Sequence, residues 1–296
     1  ADNLYVVDNL NRIIRKIDPS GYVSTFAGNG TASLIDGQGT EASFNKPTNI
    51  AIDSSGNLYV SEYGSSSIRK ITPDANVTTF AGTGSRGSNN GQGTSASFDR
   101  PYGLIFDSSS NLYVGDYGNH VIRKIDPSGN VTTFAGMMDS SGFSDGQGTS
   151  ASFYGPVGLT IDPQGNLYVT DQKNHLIRKI DPSGKVTTIA GTGSEGSADG
   201  IGDQSSFNVP YGILSDENGN LLVADLVNHT IRKINLVGDT VNFRVDFADA
   251  AGNSGSVDNT TDNSLVKVDL EAPVILNDSI TSTNQDPNWA KYGDNI

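Results

Sequence analysis

Along this chain apolar and polar residues alternate in short runs separated by turn-forming clusters. Around position 110, Pro101-Tyr102-Gly103-Leu104-Ile105-Phe106-Asp107 predicts a strand opened by a proline, and Leu112–Asp116 a second. Val121–Asp126 predicts a third, and the β-branched run Val131–Ala135 a fourth. Ser108–Asn111, Tyr117–His120 and Pro127–Gly129 carry the small and polar residues that reverse a chain. The Ile-Arg-Lys-Ile spacing of the third run would also suit a helix. Turn residues enclose it within about six positions, too few for one, so a strand is expected.

This unit recurs. Leu4-Tyr5-Val6-Val7-Asp8 opens a stretch whose copies begin at Leu58, Leu112, Leu167 and Leu221, at steps of 54, 54, 55 and 54 residues. A fixed period of that length marks a repeat architecture, in which no unit buries its apolar face without a neighbour. Four short antiparallel strands repeated around an axis predict an all-β fold, a β-propeller of four-stranded blades. The second and third strands occur five times, but the proline-led first strand only four times, at Pro47, Pro101, Pro156 and Pro210. Five or six blades are expected, with the first lacking its opening strand; the chain is then an excerpt, or a later segment closes the ring. The unit exceeds the common blade period of about 40–45 residues. The excess is a glycine-rich stretch between the fourth strand and the next proline. Each such stretch ends in a phenylalanine (Phe44, Phe98, Phe153, Phe207), expected to anchor it on the sheet.

Asn174-His175-Leu176 followed by Ile177-Arg178-Lys179-Ile180, with Gly165-Asn166-Leu167-Tyr168-Val169 before it, resembles the NHL repeat. Pro156-Val157-Gly158-Leu159 and Asp145-Gly146-Gln147-Gly148 resemble its bacterial form. The resemblance covers about residues 1–240 and implies a propeller, usually of six blades. Beyond Asn235 the pattern breaks. Val241–Phe247 and Ser264–Leu270 read as strands and resemble the last two strands of bacterial immunoglobulin-like surface repeats. The expected organisation is a propeller over 1–240, an Ig-like strand pair or ring-closing segment over 241–276, and a linker or the start of a following repeat over 277–296.

Composition narrows the function. Nineteen basic against thirty-three acidic residues give a net charge of -14. Such a balance repels phosphate backbones, so nucleic acid is not an expected partner, although animal proteins that the resemblance brings in bind RNA. There is no cysteine, which excludes disulfides, thiolate zinc sites and a cysteine nucleophile. Mean hydropathy is -0.33 and no apolar run is long enough for membrane insertion.

His120, His175 and His229 share one repeat position, which suits service to a turn rather than catalysis. The carboxylates Asp8, Glu62, Asp116, Asp171 and Asp225 also recur. A ring of acids could hold a cation, but pairing with the repeated Arg15, Arg69, Arg123, Arg178 and Arg232 is the simpler expectation. Asp36, Asp145 and Asp199, with Asn90 in the second copy, supply one acid per glycine-rich loop, far short of a calcium cage. No catalytic residue, metal or cofactor is expected. Related propellers include lyases and lactonases that use a metal and unique histidines, and this chain has no unique histidine.

In such a blade the turn between the second and third strands shares a face with the loop leading to the next blade. That turn varies most between copies, as does the residue inside Pro-x-Gly. Candidate ligand-binding residues are therefore Tyr63, Tyr102, Tyr117, Asn119, Gln172, Lys173 and Tyr211. Tyrosine adds stacking area to a hydroxyl, which suits sugars and peptides. The expected function is non-catalytic binding or adhesion, extracellular or at the cell surface, with a glycan or protein ligand on the long-loop face. The alternative is a structural subunit of an extracellular assembly, self-associating through the C-terminal strands. A metal-dependent lyase- or lactonase-like enzyme stands behind both.

Overall fold

In a computed structural model of the chain, residues 3–217 and 219–236 are described with their side chains. Beyond them only the backbone of four strands is described: Val245–Ala248 paired with Ser254–Val257, and Val274–Leu276 paired with Ser279–Thr281. The chain divides into two units, Ala1–Val237 and Gly238–Ile296. Apart from those four strands, the segments read as Ig-like and as a following repeat lie outside the described residues.

Blade 3 shows how the sequence folds. Pro101–Phe106, Leu112–Asp116, Val121–Ile125 and Asn130–Ala135 form an antiparallel sheet in chain order. Its second strand is buried at every residue, because adjacent blades cover both faces. Blade 2 (Pro47–Ile52, Leu58–Glu62, Ser67–Ile71, Asn76–Ala81) and blade 4 (Pro156–Ile161, Leu167–Asp171, Leu176–Ile180, Lys185–Ala190) repeat it. Among the described residues blade 1 has three strands, Leu4–Asp8, Ile13–Ile17 and Val23–Ala27, with no opening strand, as expected. Blade 5 has Pro210–Ser215, Leu221–Asp225 and Thr230–Ile234 among the described residues. The result is an all-β propeller of five blades.

The core lies between blades. Tyr59 of blade 2 meets Phe80 of its own sheet and Phe106 of blade 3, each edge to face at 5.0 Å. The Pro-x-Gly glycine follows from this stacking. A Cβ on Gly103 would stand 2.2 Å from the Val157 carbonyl oxygen, and one on Gly158 2.3 Å from that of Tyr211. Inner strands of neighbouring blades approach backbone to backbone there, which only glycine permits.

The glycine-rich stretches do not stand free. Gly37–Gln38, Gly91–Gln92 and Gly146–Gln147 each add a two-residue strand to the outer edge of the following blade. They cover that edge as a fifth strand, so the long loops run to the perimeter rather than serving wholly as a ligand surface. Their phenylalanines are anchors, as expected: Phe44, Phe98 and Phe153 are fully buried, and Phe207 nearly so.

Candidate functional site

Blades 2 to 5 each build an internal ion pair, and this accounts for most of the recurring charges. In blade 1 the expected Asp8–Arg15 pair is not formed: Arg15 donates to Thr25 Oγ1 at 3.4 Å, and Asp8 accepts from the Asn11 amide at 3.0 Å. Asp116 ends the second strand of blade 3 and Arg123 faces it from the third; both are wholly buried. The Arg123 guanidinium donates to Asp116 Oδ2 at 2.9 Å, to the Ser97 and Asn89 carbonyls at 3.0 Å, and to Asn90 Oδ1 at 2.8 Å. It also lies over the Phe98 ring. Arg69, Arg178 and Arg232 repeat the arrangement with Glu62, Asp171 and Asp225, and with Asp36, Asp145 and Asp199 from the loops. Burial pushes the Asp116 carboxyl up to about 6, against the pull of Arg123 and then of the Asn119 amide. Glu62 and Asp171 shift upward for the same reason. The loop acids Asp36, Asp145 and Asp199, and Asn90 in the second loop, thus lock each loop to an arginine.

The histidines serve turns. His120, His175 and His229 have φ of +62°, +56° and +55°. His120 Nδ1 accepts the Gly155 N–H at 3.2 Å, and His175 Nδ1 the Val209 N–H at 3.1 Å. Each thereby clamps its blade to the next, a task Ser66 Oγ performs for Arg100. Burial, followed by the Lys173 charge, lowers the His120 pKa.

What remains uncommitted gathers at one place. The turns after the second strands are tied to the residues before the opening prolines. Tyr63 N–H donates to the Lys46 carbonyl at 3.0 Å, Gly118 N–H to Asp99 at 2.8 Å, and Lys173 N–H to Tyr154 at 3.1 Å. Turn and loop end therefore share a face, as expected. On it the Tyr63, Tyr102 and Tyr117 rings lie 6.1–6.5 Å apart. Tyr211, from blade 5, meets Tyr102 edge to face at 5.5 Å, and their hydroxyls are in hydrogen-bond contact. Burial and then the Tyr102 hydroxyl push the Tyr211 phenol upward. Lys173 stands over Tyr117 at 5.1 Å.

The structure thus brings together Tyr63, Tyr102, Tyr117, Lys173 and Tyr211 from four blades. Gln172 occupies the same rim, its backbone N–H bound to the Gly155 carbonyl at 3.3 Å. Asn119 departs from expectation. It is buried, and its amide is spent on Asp116 Oδ2 and the Gly87 carbonyl, both at 2.8 Å, which makes it a turn residue. Sequence reasoning missed Lys46 and Arg100, which stand over the same rings, and Tyr154, whose ring Lys173 also covers at 4.6 Å. The signal was available close by: Lys46 and Arg100 directly precede the opening proline and Tyr154 stands two positions before it, whereas only the residue after it was weighed.

A groove of about 690 Å³ opens among the first-to-second turns of blades 3 to 5, where Asp162, Gln164, Ser215 and Glu217 line it. Its position at the far ends of the inner strands separates it from the tyrosines. Asp162 already receives the Asn166 N–H, the Asn166 amide and the Tyr168 hydroxyl. No cluster of three or more acids or histidines with metal-binding geometry occurs among the described residues, and no helix there is long and apolar enough to cross a membrane.

The model of the NHL repeat matches residues 153–180. The Arabidopsis thaliana protein SUPPRESSOR OF QUENCHING 1, chloroplastic, is 32% identical over 79% of this chain and 24% of its own length. NHL repeat-containing protein 2 of Bos taurus is 33% identical over 80% of this chain and 38% of its own. The chain therefore spans well under half of these curated relatives. Among solved structures, an auxiliary nutrient binding protein from Bacteroides ovatus superposes with a TM-score of 0.57 at 22% identity, covering 79% of this chain and 66% of that one. The likeness extends to the fold. Repeat, blades and comparisons agree on an all-β propeller of five blades that carries an NHL repeat at residues 153–180.

Proposed function

We propose that this propeller is a non-catalytic binding module, acting outside the cell or at its surface, and that it captures a glycan on the face bearing the second-to-third turns. One observation carries the reading: Tyr63, Tyr102, Tyr117 and Tyr211 converge from three blades on one mouth, with Lys173 from a fourth. Half-buried tyrosines give rigid contact area with a hydroxyl at its edge, the pairing of properties that carbohydrate rings require. The recurring acids support a non-catalytic role, because Glu62, Asp116, Asp171 and Asp225 are buried and held by arginine. The solved nutrient binding proteins of similar fold are consistent with a propeller that holds a ligand.

Glycan-array binding by the whole chain tests this. Sugars should be retained by the wild type and lost by the Tyr63→Ala/Tyr117→Ala pair, with cooperative melting preserved in the variant. A silent array, or binding indifferent to the pair, overturns the reading.

A further inference from the structure

On the premise that the mouth is a glycan site, we propose that its ligand is anionic, a uronate-bearing oligosaccharide, and that it runs along the rim of blades 2 to 4. Cations and tyrosines alternate there. Lys46 stands over Tyr63 at 6.0 Å, and Arg100 lies between Tyr63 at 6.0 Å and Tyr117 at 5.6 Å. Lys173 lies between Tyr117 at 5.1 Å and Tyr154 at 4.6 Å. Ring faces hold these cations in position without neutralising them. Arg100 is bound to Asp99 at 2.9 Å, but neither lysine has a carboxylate within ion-pair distance among the described residues. In a chain of net charge -14, two uncompensated ammonium groups and a guanidinium on one rim form a local reversal of sign.

The repeat shows that one cation per blade is kept by different means. Blades 2 and 3 place it before the opening proline, as Lys46 and Arg100. Blade 4 has Gly155 there, and a Cβ at that position would press on the Tyr117 ring at 2.8 Å. Its cation comes instead from Lys173, at the turn position filled by Gly64 and Gly118 in blades 2 and 3. Those two glycines cannot carry a side chain, since a Cβ would stand 2.4 Å from atoms of Asn45 and Asp99. At blade 5 the two positions are Val209 and Val227, so the ladder ends.

A row of cations with phenol hydroxyls beside them fits a sugar whose carboxylates recur along the chain. The carboxylates take charge-assisted bonds from the cations and the ring hydroxyls take bonds from tyrosine. A neutral glycan would leave the ammonium groups without an anionic partner. A nucleic acid also presents repeated anions, but its denser phosphates face the field of an acidic protein.

Calorimetric titration of the whole chain should use a uronate panel (oligogalacturonate, oligoalginate), the same oligomers with their carboxyls reduced, a sulfated oligosaccharide and oligo-dT. At least one uronate should bind, roughly tenfold or more weakly in high salt. It should lose a similar factor in Lys46→Gln/Lys173→Gln, whose exposed substitutions leave melting unchanged, and the reduced oligomers should bind still more weakly. Equal binding of reduced and native oligomers, or affinity unmoved by the lysine pair, overturns the anionic inference and leaves the glycan reading standing. So does a sulfated oligomer bound while every uronate is refused. Preference for oligo-dT overturns it, and silence toward all sugars here and on the array overturns both.

Discussion

A buried guanidinium is tolerated in blades 2 to 4 because four acceptors surround it, two of them carboxylate or amide side chains. Removing one partner leaves the other charged and dry. Arg123→Ala should cost about 3–5 kcal/mol in urea unfolding, chiefly because Asp116 loses its counter-ion. Arg123→Lys should rescue little, since one ammonium cannot span acceptors on both sides of the blade. Blade 2 solves the same problem with other residues. Where blades 3 to 5 pair Asp with an Asn three positions on, blade 2 has Glu62 with Ser65, bonded at 2.9 Å. The longer acid meets the shorter hydroxyl. Glu62→Asp and Ser65→Asn should each destabilise alone, and the double variant should recover part of the loss, with a coupling of about 1–3 kcal/mol in a double-mutant cycle. The acid–arginine pairing was legible because both recur with the period. The share taken by Asp36 was not, because 33 residues separate it from Arg69 and nothing local ties them.

At the scale of elements, the four strands of blade 3 fall within a residue or so of where alternation and turns put them. The destination of the long loops was not legible, because a strand of only Gly and Gln carries no periodicity. Their anchors were legible, and Phe98→Ala should cost about 3–5 kcal/mol by emptying a site with no exposed surface. The clamp between blades yields a pH prediction. His120 is held neutral with its folded pKa below the ordinary 6.5, so the unfolded chain binds more protons in the window just beneath that value. Its contribution is fully present above about pH 6.5 and is lost as pH falls through the folded pKa. His120→Ser copies the acceptor that Ser66 supplies in blade 2 without the titration. The melting-temperature advantage of the wild type over this variant should therefore shrink between about pH 7 and pH 5. A constant difference would mean that the imidazole is not the titrating clamp.

For the whole molecule, the sequence foretold the propeller through its period and the mouth only in part. Tyr63, Tyr117 and Lys173 announced themselves as variation within a constant turn, while Lys46, Arg100 and Tyr154 reach the same rim from 17 to 19 residues away along the chain. What repetition cannot announce is where it stops. Each blade is supported by its neighbours, as in any repeat protein, so stability should fall toward an end that has one neighbour fewer. Blade 5 shows this in its third strand. Ile231 is 70% exposed where its counterparts Ile122 and Ile177 are fully buried. Arg232 pairs with an Asp199 that is 95% exposed, where Asp36 and Asp145 are half covered. Among the described residues, Thr230–Ile234 bonds only to Leu221–Asp225, whereas Val121–Ile125 has a strand on each side. Few buried contacts and, among the described residues, a single partner strand place such a strand at the low end of local stability. Native-state hydrogen exchange should accordingly find the amides of Thr230–Ile234 exchanging about tenfold or more faster than those of Val121–Ile125 and Leu176–Ile180. Equal protection in all three strands would show that blade 5 is supported on its outer side as fully as the blades before it, and the gradient argument would fail.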